Sequence, residues 1–356
     1  MTGRRLVSRW AVLALVAAAG CQPERGLAPG EPSQARRVKA SVVGYTLTDI
    51  TPPNATYAYA TAVSDRGWIG GGAFDPVKGS YGWTRSSGGV YRMLTSIPGF
   101  PLVSVEAIND YGEVAGTVWA ANGSSSRAMF WPAAGAPLQI YVSGVFAFRA
   151  LALNNHGFVV GTAFATTPTS GPRHGFVWDR HTQIGTDLGT MGGAASDAVN
   201  INTGGDIAGC VTLANGLRRA YVKPLGQSEQ LLVYNTTLDA CAVGVTDQGT
   251  TMVYESNGSS RAGVEWSAGY HLVDKWTPAG EIYDVNRYAT SLTIDLSFPG
   301  PSRPSVHYSQ GGFLVLPPIT SGYPAYAAEL NASDWVVGQA YHRGTRDYRA
   351  VLWLPY

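Results

Sequence analysis

The chain has 356 residues, of which 45% are apolar and 14% are charged, and its formal net charge at pH 7 is +1. We expect no nucleic-acid partner, because phosphate recognition needs a concentrated basic surface. The 44 glycines, 19 tyrosines and 10 tryptophans are typical of tight turns between aromatic-bearing strands. Beyond residue 20, no stretch of more than a dozen residues has helical apolar spacing, so the prediction is an all-β protein.

Residues 1–20 form a predicted lipoprotein signal peptide. Three arginines in the first nine residues precede an uncharged apolar run over 10–19, which is shorter than the roughly 20 residues of a membrane-spanning helix. The run ends in Ala18-Ala19-Gly20-Cys21, which resembles a lipobox. The resemblance implies that Cys21 is lipidated and becomes the mature N-terminus of an exported protein. Gln22 follows, so an outer-membrane or surface location is expected; an ordinary secretory signal is the alternative.

Residues 21–40 are rich in proline, glycine and charge. Such a composition buries too little apolar surface to fold, so the segment is predicted to be a flexible tether. Residues 41–356 form the single predicted domain.

A short pattern recurs seven times in this domain. In each copy a turn residue, usually asparagine and usually followed three residues later by glycine, separates two apolar segments, and this predicts a β-hairpin. Five of the seven residues four positions before the turn are alanine, which indicates a crowded innermost strand. The turn residues, called anchors below, are Ser64, Asn109, Asn154, Asn202, Thr246, Asn286 and Asn331.

An aromatic residue about twenty positions after the anchor predicts a third strand in six repeats, and a shorter fourth strand follows. These third-strand positions are Trp83, Trp131, Trp178, Lys223, Trp266, Tyr308 and Trp353. Four strands in about 45 residues is the size of one propeller blade. The repeats therefore predict a seven-bladed β-propeller of four-stranded blades, with eight blades or an open stack as alternatives.

The two ends of the domain favour a closed ring. The seventh repeat stops at Tyr356 after its third strand, while the segment 42–50 is an orphan with strand character. Pairing this N-terminal strand beside 351–353 completes the last blade and removes an exposed sheet edge.

The fourth repeat carries a family resemblance. It contains His174-Gly175-Phe176, then Asp187-Leu188-Gly189-Thr190, then Gly205-Asp206-Ile207-Ala208-Gly209. This ordered set resembles the HAF-repeat extracellular proteins, which are named for a His-Ala-Phe tripeptide; here Gly175 replaces the alanine. The other six repeats keep the frame without the Asp-Leu-Gly-Thr signature. The resemblance implies export and a propeller-like repeat, and it implies no particular activity.

Two cysteines lie in adjacent repeats. Cys210 is in the second strand of the fourth repeat and Cys241 in the first strand of the fifth. They are candidates for a disulfide in an exported protein, and two buried thiols are the alternative.

A basic residue precedes the third strand in five repeats. A ring of such side chains would capture an anionic or hydroxyl-rich ligand, but we favour a structural role, in which each holds a loop carbonyl or carboxylate of its own blade. The five residues are Arg127, His174, Arg219, Arg261 and Arg349.

The histidines lack metal-ligand spacing, so no metal or cofactor is expected. Carboxylates near the innermost strands would meet at the axial channel if the protein cleaves glycosidic bonds, but surface solvation is the simpler explanation. These are Glu106, Asp197, Asp284 and Glu329. The polar loops between the second and third strands are expected on one face of the ring, where binding sites of repeat scaffolds lie.

We therefore expect a monomeric, lipid-anchored binding or protein-interaction module of the cell envelope, with an unknown glycan or protein ligand. A carbohydrate-active hydrolase or lyase using axial carboxylates is the alternative, and a purely structural envelope protein is the third. An aromatic or basic loop face would favour the binder, and convergent buried carboxylates would favour the enzyme.

Overall fold

A computed structural model describes residues 42–257, 260–276, 282–286, 290–295, 303–308 and 312–356. The predicted signal peptide, Cys21 and the tether lie outside these residues. Every helix or strand assigned within the described ranges is a β-strand. This part of the chain accordingly holds no helix of the length and apolarity that crosses a bilayer.

The strands form seven antiparallel sheets of four strands, each sheet being one blade. Blades 1 to 3 comprise β2 Tyr57–Val63, β3 Ile69–Asp75, β4 Gly79–Arg85 and β5 Tyr91–Leu94; β6 Leu102–Ile108, β7 Val114–Trp119, β8 Ser126–Trp131 and β9 Leu138–Gln139; and β10 Phe146–Leu153, β11 Phe158–Phe164, β12 Arg173–Asp179 and β13 Ile184–Asp187. Blades 4 and 5 comprise β14 Ala195–Ile201, β15 Ile207–Thr212, β16 Arg218–Lys223 and β17 Gln230–Leu232; and β18 Asp239–Val245, β19 Thr251–Ser256, β20 Arg261–Trp266 and β21 Leu272–Trp276. Blades 6 and 7 comprise β22 Ile282–Val285, β23 Ser291–Asp295, β24 Arg303–His307 and β25 Phe313–Val315; and β26 Ala325–Leu330, β27 Val336–His342, β28 Asp347–Pro355 and β1 Tyr45–Asp49.

The ring closes through the N-terminal strand, as the orphan segment predicted. β1 runs antiparallel to β28, and five residue pairs from Tyr45↔Pro355 to Asp49↔Val351 form the ladder. A central cavity of about 180 Å³ is lined by the innermost strands of all seven blades. The seven-bladed prediction is therefore confirmed, and the eight-bladed and open alternatives are wrong.

Apolar layers between neighbouring blades form the core. Trp83, with no exposed surface, packs in one cluster with Ala60 of its own blade and with Val337 and Ala350 of blade 7. Trp131, Trp178 and Trp353 are buried in the same way. The third-strand tryptophan thus fills the wedge-shaped space between blades, because it is the residue with the largest apolar surface to bury.

Every innermost strand has a β-bulge between the fourth and second residues before its anchor, as between Ala150 and Ala152 in blade 3. A bulge re-aims the side chain beside it. The second strand accommodates the irregularity with a glycine in five blades: a Cβ at Gly161 would collide with the carbonyl oxygen of Arg149. The equivalents of Gly161 are Gly71, Gly116, Gly209 and Gly338.

Candidate functional site

The anchors close the inner hairpin of each blade by hydrogen bonding. Asn154 Oδ1 accepts the backbone N–H of His156 and of Phe158, each at 3.0 Å. Ser64 and Thr246 accept one such N–H through their hydroxyl oxygens, from Trp68 at 3.2 Å and from Thr250 at 3.1 Å. This is the turn role that the asparagine pattern predicts.

The asparagine anchors have a second role that the sequence analysis missed: each bonds the next blade. The Nδ2 of Asn154 donates to the carbonyl of Asn202 at 3.0 Å, and Asn331 donates to Ser64 at 2.9 Å, which links blade 7 to blade 1. The same bond joins Asn109 to Asn154, Asn202 to Thr246, and Asn286 to Asn331. Five of the seven blade junctions carry it.

The two junctions without this bond follow the two hydroxyl anchors. Ser64 and Thr246 have no side-chain N–H to donate, and in the described part of the chain neither crosses to blade 2 or blade 6. We call the face of the ring that carries the seven anchors the anchor face. Its asparagine side chains join neighbouring blades at five of the seven junctions.

Two of the predicted carboxylates, Asp284 and Glu329, line the central cavity from adjacent blades. Burial raises the pKa of Asp284 to about 6. Burial, reinforced by the charge of Asp284, raises the pKa of Glu329 well above its usual value. Both carboxylates accept a backbone N–H of the next blade, from Leu330 at 2.9 Å and from Val63 at 3.3 Å. The pair therefore links blades and shares a tendency to retain a proton.

The other two carboxylates, Glu106 and Asp197, are not among the residues that line the central cavity. Glu106 accepts the Ser104 hydroxyl and Asp197 accepts the Thr162 hydroxyl, so the four predicted carboxylates do not converge.

Four of the five basic residues before the third strands contact groups close to them in the fold. Arg219 is buried and donates to the carbonyls of Thr236 and Leu238 at 2.6 and 2.8 Å. Arg349 bonds Asp49 and the carbonyl of Ala55 at 3.1 and 3.2 Å. His174 Nδ1 lies 2.9 Å from an Asp187 oxygen.

The remaining two residues of this set are equally local. The Arg127 guanidinium lies 4.9 Å from the Phe100 ring centroid and donates to the carbonyl of Ser126. Arg261 opens β20 opposite Ser256. The observed contacts of Arg219, Arg349, His174 and Arg127 are to loops, neighbouring strands and carboxylates, and ligand capture by this set stays a prediction.

The face where the innermost strands begin carries a cluster of tyrosines that sequence reasoning missed. Tyr57 contacts Tyr59 and Tyr348, with ring centroids 5.9 and 6.4 Å apart. Tyr348 also contacts Tyr326 and Tyr341, at 6.0 and 5.5 Å. Tyr323 stacks on Tyr341 at 5.1 Å. Six tyrosines of blades 7 and 1 thus form one continuous surface.

A cavity of about 340 Å³ opens beside this cluster, between blades 1 and 2. Five of its lining residues are aromatic, and they are Tyr57, Tyr59, Phe74, Tyr81 and Trp119. Burial, with Tyr57 and Glu106 nearby, raises the pKa of the Tyr59 hydroxyl, so this group stays an uncharged hydrogen-bond donor. The cavity combines aromatic faces with few polar groups, as small-molecule sites do.

Three arginines extend the same face across blades 3 and 4. Arg173 and Arg218 approach one oxygen of Asp197, at 3.2 and 3.7 Å. Arg149 lies 3.7 Å from Glu106. We call the six tyrosines, the cavity and these three arginines the rim.

The rim is continuous because corresponding positions of successive innermost strands meet around the channel. Ser104 lines the cavity with Tyr59, and its hydroxyl donates to Glu106 at 2.8 Å. Thr162, opposite Arg149 in the sheet, donates to Asp197 at 3.1 Å. Polar contacts therefore lead from the tyrosines to the arginines.

A disulfide joins Cys210 and Cys241 at the far end of the rim, with a Cα–Cα distance of 4.9 Å. Cys210 is opposite Asp197 in the sheet, and an Arg218 nitrogen lies 3.6 Å from the Cys241 sulfur. The bond crosses from blade 4 to blade 5, beside the arginines. Among the described residues, no cluster of three His, Cys, Asp or Glu side chains is arranged to hold a metal ion.

Comparisons with known proteins identify the fold. No family model matches the chain, and no curated protein matches it. The β-propeller domain of the Trilobed protease from Pyrococcus furiosus is similar, with a TM-score of 0.55 and 11% identity over 84% of this chain and 94% of that one. Virginiamycin B lyase from Staphylococcus aureus, solved with quinupristin, gives 0.53 and 9% over 87% and 99%. At such identities the likeness concerns architecture alone, and it agrees with the ring described above: the chain is a seven-bladed β-propeller.

Proposed function

We propose that this protein is a binding module whose ligand lies on the rim, and that the ligand is a glycan. The observation that carries the proposal is the contact of six tyrosines next to a 340 Å³ cavity with five aromatic lining residues. Aromatic faces bury the apolar C–H face of a sugar ring, and neighbouring hydroxyl, guanidinium and carboxylate groups bond its hydroxyls.

The side chains on the two faces of the ring have different roles, and this difference supports the proposal. On the anchor face the polar side chains hold the blades together, as the inter-blade bonds of Asn109, Asn154 and Asn202 illustrate. On the rim, Tyr326 is 37% exposed and Phe74 is 43% exposed, so their rings are available to a ligand. A rigid scaffold with an exposed aromatic face is the arrangement expected of a binder.

The test is titration calorimetry of the folded domain with neutral and acidic oligosaccharides. Tyr326→Ala should weaken the best ligand about tenfold, equivalent to ~1.4 kcal/mol. Tyr111→Ala is the matched control, because Tyr111 is 52% exposed and lies in an anchor turn on the opposite face. Equal effects of the two substitutions, or no binding by the unmodified domain, would contradict the proposal.

We also propose that the chain is exported and lipid-anchored through Cys21. The lipobox-like sequence 18–21 supports this, as does the disulfide between Cys210 and Cys241, since disulfides persist in oxidising compartments. Metabolic labelling with a clickable fatty acid tests it: the full chain should be labelled, and Cys21→Ser should not be.

The second candidate function is a carbohydrate-active hydrolase or lyase. The raised pKa values of Asp284 and Glu329 favour it, because a proton-donating carboxyl needs such a shift. Product analysis of the calorimetry mixtures separates the two functions. An enzyme would release shorter sugars, and Glu329→Gln would stop their release while leaving binding on the rim intact.

A further inference from the structure

We propose that Arg149, Arg173 and Arg218 form an anion subsite that takes the carboxylate of an acidic sugar residue. This inference rests on the proposed glycan-binding function and adds to it the class of sugar. It concerns residues that none of the sequence motifs identified.

Two guanidinium groups share one carboxylate at this end of the rim. Arg173 and Arg218 approach a single oxygen of Asp197, at 3.2 and 3.7 Å. Asp239 is also nearby, and its Oδ1 accepts the backbone N–H of Arg218 at 2.9 Å. The second Asp197 oxygen accepts the Thr162 hydroxyl at 3.1 Å. Asp197 thus offers one oxygen to two guanidinium groups, and a guanidinium can bind a further carboxylate with two parallel hydrogen bonds.

Donor capacity points in the same direction. Within the described residues, the Nε atoms of Arg149, Arg173 and Arg218 are buried and have no hydrogen-bond partner. A buried donor without a partner is costly, so these side chains hold hydrogen-bonding capacity that the protein leaves unused. The side chains as a whole are 41%, 43% and 40% exposed, so a ligand can reach part of each of them.

The groups between the arginines and the aromatic cavity indicate which kind of molecule bears the carboxylate. Glu106 lies between Arg149 and Ser104, and Ser104 lines the aromatic cavity with Tyr59. A ligand that reaches from the arginines to the cavity therefore needs a charged group attached to a ring with an apolar face and hydroxyls. A uronic acid has this composition, and the carboxylate at C6 projects from the edge of its ring.

The repeat pattern marked the residues next to two of these arginines. Arg173 and Arg218 directly precede His174 and Arg219, the basic residues that the repeat pattern singled out. Successive residues of a strand point to opposite faces. His174 and Arg219 are therefore directed to loop and carboxylate partners, whereas Arg173 and Arg218 reach the rim.

The experiment compares oligomers of galacturonate, glucuronate and mannuronate with the methyl esters of the same oligomers, which keep the rings and remove the charge. The unmodified domain should bind at least one acid oligomer ten times more tightly than its ester. The double substitution Arg173→Gln, Arg218→Gln should reduce that preference below threefold and leave ester binding unchanged. Arg66→Gln, on the anchor face beside Tyr111, is the control and should leave the preference intact.

Each outcome decides between the two proposals. Equal binding of acid and ester overturns the anion subsite and leaves glycan binding in place. A preference that survives the double substitution overturns the assignment to the arginines. Binding of neither form overturns the anion subsite, and glycan binding as a whole is overturned only when the neutral oligosaccharides also fail to bind. Arg218→Lys, which keeps the charge but loses the guanidinium fork, guards against a folding defect: it should retain part of the preference, and a melting temperature measured in parallel should equal that of the parent.

Discussion

Replacing Asn331 should weaken the ring at the junction where it closes. Asn331 is 4% exposed. Its Nδ2 donates to the carbonyl of Ser64 across the junction of blades 7 and 1 at 2.9 Å, and its Oδ1 accepts the N–H groups of Ser333 and Trp335 at 2.9 and 3.0 Å. Alanine removes all three hydrogen bonds.

The magnitude follows from what each variant leaves without a partner. Two N–H groups losing their acceptor cost about 1–3 kcal/mol each, and the lost inter-blade bond costs about 1 kcal/mol. Asn331→Ala should therefore lower the free energy of unfolding by roughly 3–7 kcal/mol. Asn331→Ser should cost only about 1–2 kcal/mol, because a serine hydroxyl accepts the turn N–H, as Ser64 does from Trp68.

Differential scanning calorimetry measures the difference. For a domain of about 300 residues the unfolding entropy is roughly 0.6 kcal/mol/K, so each kcal/mol shifts the melting temperature by about 1.5 °C. Asn331→Ala should melt about 5–10 °C below the parent and Asn331→Ser about 2 °C below it.

The reverse substitution tests the same reasoning with a gain. Ser64→Asn should supply the missing donor to the carbonyl of Asn109 and raise the melting temperature by about 1.5 °C, since one hydrogen bond contributes about 1 kcal/mol. Two results together would refute the reasoning: Asn331→Ser as unstable as Asn331→Ala, and Ser64→Asn without effect. The turn alone would then account for the asparagines.

Three further predictions concern the closing strand, the acid pair and the disulfide. Deleting residues 41–50 should lower the melting temperature by roughly 10 °C, because it exposes an edge of β28 and removes the buried Tyr45 and Ile50; a truncated domain as stable as the parent would argue against closure. The pKa of Glu329 is raised in the folded state, so the protonated carboxyl contributes stability that is complete below about pH 4 and is lost as the pH rises through the raised pKa values, about 6 for Asp284. Glu329→Gln should therefore melt progressively higher than the parent from pH 4 to pH 8, and a difference independent of pH would contradict this assignment. Denatured, unreduced domain lacking Cys21 should show no free thiol, and reduction should destabilise it by about 3–4 kcal/mol for a loop of 31 residues; two titratable thiols would show that Cys210 and Cys241 are unbonded.

The repeat pattern was sufficient to predict the architecture. Blade count, strand order and closure all follow from local features: a turn residue every 40 to 48 positions, a third-strand aromatic, and an orphan strand at 42–50. Each blade forms from residues close together in the chain, so short segments of the sequence predict its hairpins. Even the inner alanine column was interpreted correctly, since residues such as Ala60, Ala150 and Ala198 are buried.

The candidate site required the tertiary structure, for two physical reasons. Ring closure places Tyr57 beside Tyr348, nearly three hundred residues apart, and no spacing in the sequence reports such a contact. The direction of a strand side chain reverses with every residue, so a pattern that marked His174 and Arg219 missed Arg173 and Arg218 on the rim. The sequence by itself determined the seven blades and the order of their strands. Only the folded ring decided which side chains meet across the blade junctions and around the channel.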